Sequence, residues 1–163
     1  MIKKLVLIFL SIWLGTTCLV DFAIVPTVFQ VIENFFNAGE LGVALFTKMN
    51  LLELILSSIM VCLVSLEFKK NNKSIIHFFL AISASIIVVI YFSYLTPKIA
   101  ELTLLWKKAD SQGLIAIAGI KDIQQEHQFY HRTYVTLDSI KILILSTLLI
   151  LRLREKAVEH ANT

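Results

Sequence analysis

The chain has 163 residues, of which 57% are hydrophobic and 17% charged, and its formal net charge is +3. A soluble domain of average composition carries about 25% charged residues, because polar side chains have to cover its surface. The low charged fraction therefore argues against an ordinary water-soluble enzyme. Apolar runs near the roughly 20 residues that a helix needs to cross a bilayer predict an integral membrane protein instead.

The N-terminal segment has two features of a secretory signal, since Lys3 and Lys4 precede an apolar run. That run continues as far as Val25, however, and no polar mature chain follows it. We therefore interpret the segment as a retained first membrane helix over about residues 5–25. Pro26 is expected to end this helix, because its ring excludes the next helical turn.

Three further apolar runs predict membrane helices, since a chain in lipid must satisfy its backbone hydrogen bonds internally. They cover about residues 41–66, 75–95 and 134–151. The first of these follows an Ala38-Gly39 break, and Pro97 stands just beyond the second. The predicted fold is all-α: a polytopic membrane protein with four transmembrane helices in an antiparallel bundle. The bundle forms a single domain over residues 1–163.

The segment between the third and fourth runs also has helical character. Good helix formers occupy residues 98–109 and 120–132, and the residues at 110–113 favour a turn between them. We expect the third and fourth helices to extend beyond the bilayer and to meet there as an outer hairpin.

Basic residues are distributed unevenly about the predicted helices. They cluster at the N-terminus, in the 67–74 turn and in the tail: Lys3, Lys4, Lys69, Lys70, Lys73, Arg152, Arg154 and Lys156. The 27–40 loop has none. Because short cytoplasmic loops retain basic residues, both termini are predicted to be cytoplasmic. In a bacterium the protein would lie in the cytoplasmic (inner) membrane.

Five charged residues fall inside the predicted helices: Asp21, Lys48, Glu53, Asp138 and Lys141. A charge at the bilayer centre costs about 2.5 to 3.5 kcal/mol even on insertion scales, so each one needs a partner or a function. Lys48 stands near a helix end, where a lysine can extend its ammonium group to the membrane interface.

Helical spacing places several polar side chains on common faces. In the fourth helix the intervals are four, three, four and three residues, over His127, His131, Tyr134, Asp138 and Lys141. Similar stripes are Asn50, Glu53 and Ser57 on the second helix, and Trp13, Thr17 and Asp21 on the first. These stripes predict a polar intramembrane pocket formed by Asp21, Lys48, Asn50, Glu53, Tyr134, Asp138 and Lys141. The alternative is that the same residues only fix the packing of the helices.

His127 and His131 have the i, i+4 spacing that presents two imidazoles to one metal ion. No third histidine or cysteine stands nearby to complete a site, so the pair is a weak metal candidate. No cofactor is expected from the residues alone. The chain lacks the motifs of soluble hydrolases and nucleotide-binding enzymes, which favours a non-enzymatic role, and its basic turns do not indicate nucleic-acid binding.

Several short motifs recur in one known family: Trp13-x-Gly15, Asp21-Phe22, Pro26-x-x-Phe29, Ala38-Gly39, Phe46, Tyr94-Leu-Thr-Pro97, and Phe129-Tyr-His131 leading into Asp138. In this order they resemble the transmembrane protein 205-like family of small four-helix membrane proteins, in the copper-resistance-D-like superfamily. The resemblance implies haem or copper as an alternative cofactor. Haem-binding relatives use a histidine within the membrane helices, whereas every histidine here lies at or beyond a predicted helix end.

Three functional hypotheses follow. The first is transport, or a small binding or accessory function, through the polar intramembrane pocket. The second is a haem- or metal-associated membrane oxidoreductase or cofactor carrier. The third is a structural subunit of a membrane complex or a homo-oligomer. In each case the lipid bilayer is the surrounding partner.

Overall fold

The computed structural model describes the backbone of residues 2–69, 75–112 and 118–161, and in the last helix it describes side chains at 121–155 and 157. This part of the chain is helical and contains no strand. Four helices in it are long and apolar enough to cross a membrane, and we number them 1 to 4: Ile2–Val31, Phe35–Phe68, Ile75–Ser111 and Ala118–Ala161. The predicted all-α, four-helix membrane bundle is confirmed.

Helix 1 continues through Pro26 to Val31, so the prediction that Pro26 ends it was wrong. The turn before the proline, Val20–Ile24, is π-helical, and the N–H of Val25 bonds to the carbonyl of Val20, five residues back. In an α-helix the proline ring would clash with the carbonyl four residues earlier. The wider π-helical turn relieves that clash and lets the helix go on.

Helix 3 passes its proline in the same way. The segment Tyr91–Leu95 is π-helical, the N–H of Thr96 bonds to the carbonyl of Tyr91, and Pro97 follows. The helix then continues to Ser111, and its last part, Thr96–Ser111, packs against helix 4. This is the outer hairpin predicted from the sequence. The predicted turn residue Gly113 lies outside the described residues, as do Lys70 and Lys73.

Helix 2 begins six residues earlier than expected, at Phe35 instead of residue 41. The side chain of Asn34 caps it by accepting a hydrogen bond from the N–H of Asn37 at 3.1 Å. Ala38 and Gly39 therefore lie inside the helix and do not break it. A Cβ atom on Gly39 would stand 3.7 Å from the side chain of Thr103, which is ordinary van der Waals contact, so helices 2 and 3 pack against each other at this point.

The core has two apolar parts. The larger lies toward the end that carries both termini, which we call the terminal end: Val6, Leu10, Trp13, Leu56, Met60, Val64, Ala81, Ala84, Val88, Leu145 and Leu148. The smaller lies toward the opposite, distal end: Ile87, Tyr91, Leu95 and Tyr134. Where the two parts meet, buried polar and charged side chains form a layer across the bundle.

Helix 1 packs differently along its length. Its first part, Ile2–Leu19, contacts both helix 2 and helix 4. Its distal part, Val25–Val31, contacts helix 2, and within the described residues it makes no close backbone approach to helix 4. The bundle is consequently closed between helices 1 and 4 at the terminal end and open between them at the distal end.

Candidate functional site

Glu53 and Lys141 form an ion pair at the centre of the buried polar layer. Each residue is only 1% exposed. The Lys141 ammonium donates to Glu53 Oε1 at 2.7 Å and to Oε2 at 2.8 Å. From helix 1, Thr17 Oγ1 and Trp13 Nε1 also donate to Glu53 Oε1, at 2.7 and 3.1 Å. Glu53 thus accepts hydrogen bonds from two neighbouring helices, and it holds helices 1, 2 and 4 together.

The remaining contacts of Lys141 come from helices 3 and 4. Its Nζ lies 2.6 Å from Asp138 Oδ1, one turn earlier on the same helix, and 5.0 Å from the centroid of the Tyr91 ring. An ammonium group has three protons to donate. Those protons are taken up by the two Glu53 oxygens and Asp138, so Lys141 has no donor left for a further group.

Asp21 is the third carboxyl group of the layer, and it stands in the π-helical turn of helix 1. Its side chain faces the Asp138 carboxyl within hydrogen-bonding range. Two carboxyl groups can bond in this way only when they share a proton. With both ionised, Asp21 Oδ2 has no donor from the described residues, although it is shielded from solvent.

A second hydrogen-bonded group lies on the distal side of the ion pair. The Asn50 amide donates to Thr96 Oγ1 at 2.6 Å and accepts from the Tyr134 hydroxyl at 3.1 Å. The ring of Tyr134 stacks on Tyr91 with centroids 4.2 Å apart, and the Tyr91 hydroxyl donates to the Tyr134 carbonyl at 3.2 Å. These contacts link helices 2, 3 and 4 on the distal side of the Glu53–Lys141 ion pair.

Six of the seven predicted pocket residues come together in these two groups: Asp21, Asn50, Glu53, Tyr134, Asp138 and Lys141. Lys48 does not join them, because its side chain is exposed on the surface of helix 2. Tyr91 and Thr96 are members that the sequence interpretation missed. For Tyr91 a signal existed, since Ala84, Val88, Tyr91 and Leu95 follow helical intervals and all four are buried.

The cavities of the described part of the chain include one on the distal side of the charged layer and one beside that layer. The larger, which we call the distal cavity, is about 280 Å³ and has mostly aromatic walls, including Phe29, Phe36, Phe46, Trp106, His127 and His131. The smaller, which we call the side cavity, is about 210 Å³ and reaches Asp21 and Asp138. Val25, Phe46 and His131 line both cavities, and Phe46 and His131 also line a further space of about 30 Å³.

The side cavity lies in the gap between helices 1 and 4. Phe22 from helix 1 and Val135 and Ser139 from helix 4 stand on its rim and are exposed. The cavity therefore opens through the side of the bundle, where lipid surrounds a membrane protein. The carboxyl groups of Asp21 and Asp138, which face each other, lie on its inner wall.

The two histidines stack on each other with ring centroids 6.2 Å apart and planes inclined by 8°. His127 Nε2 stands 3.1 Å from Thr103 Oγ1, and its ring meets Trp106 edge-on. Among the described residues no group of three or more His, Cys, Asp or Glu side chains is placed to hold a metal ion. Metal binding by this pair stays a prediction.

A second buried ion pair lies at the terminal end, and it was not predicted from the sequence. Arg152, taken from the sequence only as a marker of topology, is 3% exposed and contacts Glu67 through N–O distances of 2.8 and 2.7 Å. His77 is also buried, and its Nε2 lies 3.6 Å from Glu155 Oε1. The partners are far apart in sequence, so only the packing of helices 2, 3 and 4 reveals the group.

Comparison with known proteins yields one match. A family described as Domain of unknown function (DUF4149) matches residues 8–106, more than half of the chain. The matched range includes Asp21, Asn50 and Glu53 and ends before Asp138 and Lys141. No curated protein and no solved structure matches. The chain is an integral membrane protein that belongs to the DUF4149 family.

Proposed function

We propose that this protein binds a small amphiphilic molecule inside the membrane, as a transport protein or an accessory binding protein does. The observation that carries the proposal is that the two cavities are adjacent: Val25, Phe46 and His131 line both, so an aromatic chamber lies beside the cavity that reaches the Asp21 and Asp138 carboxyl groups. Binding sites for small molecules commonly combine apolar walls with a few fixed polar groups. The ligand's apolar body would lie against the aromatic walls of these cavities, and its polar group would face the carboxyl groups.

The open side of the bundle supports entry of the ligand from the lipid. Helix 1 leaves helix 4 at its π-helical turn, and the side cavity lies in the gap that results. An apolar molecule is already concentrated in the bilayer, so a lateral opening gives it a direct path. We further propose that the terminal end faces the cytoplasm, because Lys4, Lys69, Arg152 and Arg154 lie there.

A photolabelling experiment tests binding in the distal cavity. The purified protein, in lipid nanodiscs, is irradiated with phenyl-trifluoromethyl-diazirine, a small aromatic photolabel, and labelled residues are mapped by peptide mass spectrometry. We expect saturable labelling of Thr103, which is buried from lipid and lines the cavity. Gly42→Leu should abolish it, because the added side chain would project toward Phe29 and fill the chamber.

Ala44→Leu is the matched control, since Ala44 stands two residues away on the same helix and is exposed to lipid. This variant should leave the labelling of Thr103 unchanged. Labelling that is absent from Thr103 in the wild-type protein, or that survives Gly42→Leu, contradicts a binding cavity. The pocket residues would then serve only to hold the helices together.

The resemblance to the transmembrane protein 205-like family stays a prediction. The same holds for the haem- or metal-associated hypothesis and for the structural-subunit hypothesis that accompany it. The aromatic chamber and the carboxyl groups beside it favour the binding hypothesis over both.

A further inference from the structure

The charges beside the side cavity do not balance. Three carboxyl groups, those of Asp21, Glu53 and Asp138, meet a single ammonium group, that of Lys141. The three ammonium protons of Lys141 are donated to the two Glu53 oxygens and to Asp138. Asp21 is therefore the carboxyl group whose charge no cation of the described residues offsets directly.

In the empty site a proton shared by Asp21 and Asp138 would offset one of the two excess negative charges. The Asp21 and Asp138 carboxyl groups face each other, and two like charges at hydrogen-bonding range are strongly unfavourable away from water. A proton shared between them removes one negative charge and forms the hydrogen bond. Asp138 keeps its contact with Lys141 in this arrangement, so the shared proton is the component that a ligand can replace.

The walls of the side cavity suit a cation that also has apolar surface. Phe22, Phe46 and Tyr134 contribute aromatic rings, and none of the described residues that line the cavity is a lysine or arginine. Aromatic faces attract organic cations, and the attraction grows when water is excluded. An anion would meet the negative carboxyl groups, and a neutral molecule could not take the place of the proton.

We propose that the side cavity binds an organic cation with a small apolar body, which takes its place at Asp21 and Asp138 in exchange for their shared proton. This inference rests on the proposed function, and it adds the chemical class of the ligand. The exchange is balanced: one monovalent cation enters, the O–H bond of the shared carboxyl proton breaks, and that proton leaves to water, while no other covalent bond changes. Several titratable groups surround Asp21. Those from the other helices are Asp138, Lys141, His131, Tyr134, Glu53 and Tyr91, and Cys18 stands on the same helix as Asp21.

The test compares benzyltrimethylammonium with neopentylbenzene, its neutral isostere, in which carbon replaces the charged nitrogen. Binding to the full chain in phosphatidylcholine nanodiscs is measured by calorimetry in two buffers of different ionisation enthalpy, which yields the number of protons released. We expect the cation to bind at least about tenfold more tightly than the isostere. About one proton should be released for each cation bound.

Asp21→Asn keeps the size of the side chain and removes its charge. It should abolish proton release and weaken cation binding at least about tenfold, while binding of the isostere is unchanged. Glu33→Gln is the matched control, because Glu33 is an exposed carboxylate at the same end of the bundle. It should change neither quantity.

Equal affinities for the two probes, or cation binding without proton release in the wild-type protein, overturn the inference. The proposed function survives that result if Thr103 is still photolabelled in the distal cavity, so the two failures can be told apart. Proton release from the wild-type protein is decisive even if Asp21→Asn does not accumulate.

Discussion

Glu53 and Lys141 differ from Asp21 in how completely their hydrogen bonds are satisfied. The hydrogen bonds of the ion pair are completed by Thr17, Trp13 and Asp138, whereas Asp21 Oδ2 has no hydrogen-bond donor among the described residues. We infer a division of roles. The pair fixes the positions of three helices, and Asp21 faces the cavity with its charge available to a ligand.

Single substitutions in the pair should destabilise the bundle. Lys141→Met leaves the buried Glu53 carboxylate without its counter-ion, which typically costs about 3 to 5 kcal/mol. Glu53→Gln should cost less, because Lys141 keeps its contact with Asp138. Thermal unfolding of the purified protein in detergent should show a loss of stability for each. The double variant removes both charges of the pair, so it should be more stable than Lys141→Met alone, although Asp138 still lacks its contact with Lys141. A double variant as unstable as the sum of the singles would show that the two residues act independently.

Arg152 at the terminal end allows a similar comparison. Arg152→Met should lower the free energy of unfolding by about 3 to 5 kcal/mol, because Glu67 then remains buried without a counter-ion. Arg154→Met is the control on the same helix, since Arg154 is exposed. Equal effects of the two variants on thermal unfolding would mean that the buried contact contributes no more than a surface charge.

Residue patterns were sufficient to find most of the polar layer. Intervals of three and four on helix 4 placed Tyr134, Asp138 and Lys141 on one face, and the helix confirms that geometry. Lys48 does not join the polar layer, because it is not related to Asn50 and Glu53 by intervals of three or four residues and lies on another side of helix 2. The cavities could not be predicted at all, since they depend on where helix 1 separates from helix 4.

At the level of elements, the two prolines also show a feature that the sequence could not predict. Pro26 and Pro97 each stand two residues after a π-helical segment, so neither ends its helix. Rules for proline in α-helices predict a helix end or a kink, and they do not foresee a wider turn that accommodates the ring. In helix 1 that turn also contains Asp21, so the turn that accommodates Pro26 also positions a residue of the candidate site.

The cap at the N-terminus of helix 2 should contribute to the stability of the bundle. Asn34→Ala removes the side chain that accepts from the Asn37 N–H, and loss of such a cap costs about 0.5 to 2 kcal/mol. We expect thermal unfolding to shift downward by a few degrees. Asn37→Ala is the control, because Asn37 contributes its backbone N–H and keeps it. If the control loses as much stability as Asn34→Ala, the cap is not the stabilising contact.

At the level of the whole molecule, the four antiparallel helices bring both termini to one end. We expect that end to be cytoplasmic in a bacterial host. A fluorescent protein fused to the C-terminus should therefore fluoresce, and alkaline phosphatase inserted after Glu33 should be active. Active phosphatase at the C-terminus, together with an inactive insertion at Glu33, would reverse the orientation. The binding cavities would then open from the opposite leaflet.

We propose that helices 1 and 4 separate at the distal end and enclose a ligand site beside Asp21. This arrangement can be seen in a density map of the protein in lipid nanodiscs, obtained with a rigid fiducial partner. We expect a gap between Val25–Val31 and helix 4, with non-protein density lying against Phe46, His131 and Asp21. A map in which the two helices close on each other, with the Asp21 carboxyl bonded to Lys141 and no cavity beside it, would rule out the proposed site.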